Sequence, residues 1–115
     1  MLRLTGYSPA HDWRAIEAVD SENRLQGLVM YDHFTPNACQ VHVHVVNAFG
    51  CLKLRKEAFR YPFDMLCRNV LIGIVESESK ALKLALGLGF HEVGRVKDGC
   101  RAGVDSVILE MRKNQ

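Results

Sequence analysis

Apolar residues alternate with polar ones along residues 13–20 (WRAIEAVD) and again along 25–34 (LQGLVMYDHF), with the polar stretch 21–24 between them. Period two on both sides of a turn predicts a β-hairpin. The turn TPN at 35–37 leads into a third predicted strand, 38–46 (ACQVHVHVV). Side chains of a strand point alternately to its two faces, so Gln40, His42, His44 and Val46 share one face and Cys39, Val41, Val43 and Val45 the other. Residues 51–67 change period: Leu52, Phe59, Phe63 and Leu66 recur at near-helical spacing, and Pro62 predicts a kink or break at Tyr61.

The run 69–77 (NVLIGIVES) is almost unbroken apolar sequence, as expected of a strand covered on both faces. Ser77 or Ser79 can cap a helix over 79–90, which Gly89 ends in the left-handed conformation while Phe90 folds back on the last turn. Strands at 91–96 and 106–113 close the chain, joined by a polar, mobile connector, 97–105. Residues 1–13, with Gly6, Pro9 and the polar pair His11-Asp12, predict no regular element. The fold class is therefore α/β (α+β): a mixed central sheet of about six strands with two main helices, in a single domain spanning 1–115.

Charge and cysteine content narrow the partners. Net charge is +2, but residues 1–50 hold three Lys/Arg against five Asp/Glu and residues 51–115 hold twelve against eight. The second half is the one suited to an anionic ligand. No basic run is interleaved with aromatics as a single-strand nucleic-acid binder requires, which argues against nucleic acid. Cys39, Cys51, Cys67 and Cys100 show no CxxC spacing and read as reduced, buried or half-buried apolar residues. With no leader and no apolar stretch of spanning length, the expectation is a cytoplasmic protein with no membrane contact.

The segment 70–99 (VLIGIVESESKALKLALGLGFHEVGRVKDG) resembles the second half of a GCN5-related N-acetyltransferase (GNAT) domain, in which an apolar strand precedes a helix ending at Gly-Phe and a strand carrying Glu and Gly. Ala81, Gly89, Phe90, Glu92 and Gly94 match that pattern, and with GLVMYDHF, the His-bearing strand and FRYPFDML the resemblance covers roughly 14–112. It is nearest to the short, divergent acetyltransferase-like proteins of bacteriophages, which implies a host cytoplasm and a host protein as partner. The resemblance implies acetyl-CoA as co-substrate, its pantetheine arm lying between splayed strands at 39–47 and 70–77. It also implies a pyrophosphate cradle at 47–53, where the free amides and positive dipole end of a helix favour an anion. The cofactor-binding candidates are thus Val45, Val46, Asn47, Phe49, Gly50, Cys51 and Lys53, with Glu78 at the position of the family's usual Asn.

The chain departs from the family at the chemistry itself. The cradle has one glycine, Gly50, where the family has two spaced ones, and Ala85 stands where the family often has a tyrosine that protonates the departing thiolate. Family members also carry a strand and one or two helices before the first hairpin; the shortened N-terminal part predicts an acceptor site that is open or completed by a second subunit of a homodimer. The titratable candidates left are His44 and His42. An imidazole suits the removal of a proton from the acceptor ammonium, directly or through water. A metal pair is the other reading of His-x-His, but a catalytic zinc takes three protein ligands. No third ligand is adjacent in sequence, although Asp32, His33 or His91 could approach in space, so no metal is assigned. Asp98, Arg101 and Asp105 are lesser candidates for acceptor contact. Two functions follow: an acetyl-CoA-dependent N-acetyltransferase acting on an amine, of a protein or a small molecule, or a catalytically degenerate GNAT-fold binding module acting on a host protein.

Overall fold

The order of elements is β1 (Leu2–Thr5), β2 (Arg14–Val19), β3 (Leu25–Asp32), β4 (Ala38–Val45), α1 (Ala48–Arg60), β5 (Val70–Glu76), α2 (Lys80–Leu88), β6 (His91–Arg101) and β7 (Val104–Arg112) in a computed structural model describing residues 2–5 and 12–114. The strands form one seven-stranded sheet in the order β1-β2-β3-β4-β5-β7-β6. All neighbours pair antiparallel except β4 and β5, which run parallel.

The seventh strand corrects the expectation of about six: residues 2–5 are not irregular but pair with β2, Leu2 opposite Ala18 and Leu4 opposite Ile16. Gly6, Pro9 and His11 lie outside the described residues. The polar stretch 97–105 is likewise no mobile connector. Strands β6 and β7 run through it to a tight turn at Ala102-Gly103, where Gly103 takes φ 83°. Asp98 and Asp105, read as acceptor contacts, brace this hairpin: Asp98 Oδ1 accepts from the Gly103 amide at 2.8 Å and Asp105 Oδ1 from the Asp98 amide at 3.1 Å. Arg101 pairs with Glu76 at 2.8 Å. Short polar side chains satisfying turn amides read as loop in a sequence window, while cross-strand pairing decides the outcome.

One face of the sheet carries the core. Ile16, Val29, Tyr31, Cys39, Leu71, Val107 and Leu109 are buried there against Leu54 and Ala58 of α1 and against Phe90. Gly50, Leu54 and Ala58, four residues apart, form the buried stripe of α1, whereas Leu52, expected on it, is 67% exposed. Strand β5 is covered along this face, with Leu71 and Gly73 buried, while on the other face cover fades from Val70, buried, through Ile72, half-buried, to Ile74, exposed, which limits the expected two-sided cover to the start of the strand. Burial pushes the Cys39 thiol up to about 11. Cys67 and Cys100 are exposed, contrary to the reading of all four cysteines as buried or half-buried.

The α-helix ends at Arg60 and changes character at Tyr61, where Pro62 predicted a kink or break, but the helical path itself continues. Residues Tyr61–Met65 continue α1 as a π-helical turn, closed by the Leu66 amide on Tyr61 O at 3.0 Å. Proline has no N–H to give the carbonyl four residues back, Ala58 O, and the buried Tyr31 hydroxyl donates to that oxygen instead, at 2.7 Å. Burial raises the Tyr31 phenol far above its usual range, so the donor proton stays in place. The α2 helix starts and stops as the sequence predicts. Ser79 Oγ accepts from the Leu82 amide at 3.1 Å, and Gly89 takes φ 114°. Phe90, its amide on Ala85 O at 3.1 Å, turns back beside Phe59 with ring centroids 6.3 Å apart.

Candidate active-site cleft

Strands β4 and β5 pair over three positions only, Ala38 with Val70, Cys39 with Leu71 and Gln40 with Ile72. Both strands continue past this point, to Val45 and Glu76, with no further pairing between them among the described residues. The gap is a cleft of about 420 Å³ whose walls are β4 at Val41–Val43, β5 at Gly73–Glu76 and the inner side of α2. Val43, Ile74 and Leu84 expose apolar side chains there, as expected of a site shaped for a ligand with an apolar stem.

The backbone of β4 is arranged for such a ligand. The Val46 amide donates to Gln26 O at 2.9 Å, and pairing continues with His44 opposite Leu28 and His42 opposite Met30. Peptide groups alternate in direction along a strand, so those of the even-numbered residues face β3 and those of the odd-numbered ones face β5: the Val41 amide completes the pairing of Gln40 with Ile72, and the peptide groups of Val43 and Val45 face the gap. A strand edge whose amides and carbonyls meet no second strand can bind the amides of an extended ligand as an added strand does. Of the two adjacent candidates, Val45 therefore presents its peptide groups to the gap, and Val46 gives its amide to β3.

At the turn into α1, Asn47 caps the helix: its Oδ1 accepts from the Gly50 amide at 3.0 Å and its side-chain amide donates to Gln26 Oε1. Gly50 is buried against β3, not held open toward a ligand. A Cβ there would sit 2.0 Å from Gln26 O and 2.4 Å from Gln26 C. Gly27 meets it from the strand side, so two glycines let α1 approach β3 backbone to backbone. Cys51 is half-buried along a small gap between the helices, and Lys53 is on the exposed side of α1. The side chain of Phe49 lies outside what the structure describes. Glu78 is exposed in the turn before α2, at φ 56°. Ala85 lies in the cleft wall, with no hydroxyl to offer.

The two histidines share a face, opposite the helices, as strand parity requires. His42 borders the cleft; His44 is two residues further along, exposed. His42 Nε2 lies 2.7 Å from Asp32 Oδ1, and His33 Nδ1 lies 2.9 Å from the same oxygen. Partial burial of Asp32 works against its ionisation, but the hydrogen bonds from His33 and His42 outweigh it and hold the carboxyl below the usual carboxylate range. An ionised Asp32 accepts from Nε2–H of His42, which leaves Nδ1 of that ring as the proton acceptor. His91 is elsewhere, paired with Glu110 at 3.1 Å. The sequence named Asp32 only as a residue that could approach in space and gave it no role as the partner of His42; the signal for that was the dipeptide Asp32-His33 in the strand that must pair with a His-x-His strand.

No protein-family model and no curated protein sequence matches the chain. Solved structures do. The spermidine/spermine N-acetyltransferase SpeG of Vibrio cholerae, in complex with manganese ions, superimposes with a TM-score of 0.75 at 20% identity, over 87% of this chain and 65% of that one. A point variant of spermidine N-acetyltransferase SpeG from the same organism gives 0.77 at 20% identity, over 89% and 65%. A dodecameric structure of that organism's spermidine N-acetyltransferase gives 0.77 at 20% identity, over 89% and 66%. The chain thus spans about 65% of the length of the first two structures. The fold is that of the GCN5-related N-acetyltransferases. No helix among the described residues is long and apolar enough to cross a membrane.

Proposed function

We propose that the chain is an acetyl-CoA-dependent N-acetyltransferase acting on an amine, of a protein or a small molecule. The observation that carries this reading is the parting of β4 and β5 after Gln40 and Ile72, which leaves the Val41 carbonyl and the peptide groups of Val43 and Val45 facing an apolar cleft. An extended pantetheine arm needs those two things together, backbone partners for its amides and an apolar wall for its methylenes. The solved structures that share the fold are acetyltransferases of spermidine or spermine, and they support the same reaction type here.

In this reading the acceptor amine reaches the thioester from the His42 face of the sheet. Its nitrogen attacks the carbonyl carbon, the C–N bond forms, and a β4 amide facing the gap stabilises the oxyanion. His42 Nδ1 takes the proton from the acceptor ammonium and so frees the nitrogen lone pair for attack, with Asp32 fixing the ring. The C–S bond then breaks, and the coenzyme A thiolate takes its proton from water, since position 85 is alanine. Asn47 and the first turn of α1 would hold the pyrophosphate, with Lys53 adding charge. Gly50 serves that cradle indirectly, by seating the helix on β3.

A second reading, a binding module that keeps the fold and has lost catalysis, is favoured by Ala85 and by a glycine given over to packing. Calorimetric titration with acetyl-CoA separates the two. Ile74→Trp places a large ring at an exposed position in the cleft wall without disturbing the core. It is expected to weaken acetyl-CoA binding at least about tenfold, the order expected when a pantetheine contact is displaced. A wild-type chain that gives no heat with acetyl-CoA would leave only the binding module.

A further inference from the structure

Three side chains of metal-ligating type converge where β3 ends. Asp32 is the last residue of that strand and His33 follows it in the left-handed conformation, φ 48°. His42 stands on the neighbouring strand, opposite Met30. Both imidazoles address one atom, Asp32 Oδ1, at 2.7 Å from His42 Nε2 and 2.9 Å from His33 Nδ1.

We propose that Asp32, His33 and His42 bind a divalent transition-metal ion, zinc or cobalt in character, through one carboxylate oxygen and two imidazole nitrogens. Their ligand atoms lie within 4.8 Å of one another. An ion about 2.1 Å from each ligand in tetrahedral geometry holds the ligands about 3.4 Å apart. The separations of 2.7 and 2.9 Å therefore need to open by roughly half an ångström, which small rotations about the side-chain bonds of exposed rings provide. Two imidazoles and a carboxylate suit zinc, cobalt or nickel, whereas calcium and magnesium favour oxygen ligands throughout. With neutral rings the cluster carries a single negative charge toward a dication.

Exposure fits a site open on one side. Asp32 is 21% exposed in its side chain while His42 and His33 are 44% and 69% exposed, so an ion held by the three keeps coordination positions open to water or another ligand. The site stands independently of acetyl transfer. If the transfer reading also holds, the ion has a further effect, because an imidazole bound to a dication is a poor base and His42 would be silenced.

The test is titration of the untagged chain with cobalt(II), followed by visible absorption, and with zinc, followed by calorimetry and thermal unfolding. One ion per chain is expected, with an unfolding midpoint that rises with zinc concentration. His33→Gln and His42→Gln should each lose at least about 100-fold in affinity, the upper end of what loss of an outer-shell partner costs. His44→Gln and His91→Gln should keep wild-type affinity and report that the fold is intact. The proposal is overturned if the wild type gives no cobalt spectrum and no zinc heat. It is equally overturned if affinity survives the loss of His33 and His42, or falls as far in His91→Gln. Metal binding with no acetyl-CoA heat would uphold this site and remove the transfer reading; acetyl-CoA heat without metal binding would do the reverse.

Discussion

Gly50→Ala is expected to destabilise the chain by at least about 3 kcal/mol, or to prevent folding. The methyl group it adds would lie 2.0 Å from the Gln26 carbonyl oxygen, 2.4 Å from its carbon and 2.9 Å from the Gly27 nitrogen. All three are backbone atoms near the start of β3, where Gln26 O also accepts from the Val46 amide, so no side-chain rotamer change relieves the overlap. Either α1 lifts from β3, uncovering Leu54, Ala58 and Tyr31, or the β3–β4 ladder distorts. Gly87→Ala is the contrast. It lies within α2 with nothing inside 4 Å of the added carbon, and alanine there is expected to be neutral or stabilising by up to about 1 kcal/mol. Urea unfolding of the two variants beside the wild type measures both. Equal stability of Gly50→Ala and wild type would mean that the helix does not rest on the strand as described.

The second large effect is expected on turnover. His42→Gln removes the ring nitrogen proposed to accept the proton and keeps a side chain able to hydrogen-bond Asp32. The rate of acetyl transfer to an amine should fall about 10²–10³-fold, the usual contribution of a positioned general base, with acetyl-CoA affinity unchanged. Asp32→Asn should lower the rate less, through the ring orientation it no longer fixes, and rescue by Asp32→Glu would mark it as a positioning residue. His44→Gln, at an exposed position that does not border the cleft, should leave the rate near wild type. Steady-state kinetics on the four variants decides among the histidines, and undiminished turnover in His42→Gln would return the proton transfer to water.

What the sequence made legible was governed by local rules. The period-two strands, the serine cap and glycine stop of α2, and the parity that puts His42 and His44 on one face all follow from residues within a few positions of one another. What it hid depends on distant partners. Strand β1 is too short to show a period and exists because β2 offers an edge. The stretch 97–105 looks like a loop because its aspartates satisfy turn amides within an extended hairpin. Proline at 62 marked Tyr61 as the place of a kink or break, where the α-helix does give way to a π-helical turn, but the Tyr31 hydroxyl that takes up the orphaned carbonyl and lets the path continue lies 27 residues away from Ala58. Gly50 is the clearest case. Alone in a loop expected to hold phosphates it reads as a depleted cradle, and only the approach of Gly27 from another strand shows that it serves packing. The Asp32–His42 pair likewise depends on the register of β3 against β4, which no single window contains.

The central claim is that the gap between β4 and β5 holds the pantetheine arm of acetyl-CoA. Backbone amide NMR of the chain titrated with acetyl-CoA tests it most directly, because the amides proposed to bind are separated in sequence from those that are not. The account predicts the largest shifts at Val43 and Val45, at residues 73–76 and at the first turn of α1, with β1 and β2 unmoved. Shifts absent from β4 and β5, or confined to the β6–β7 hairpin, would contradict it.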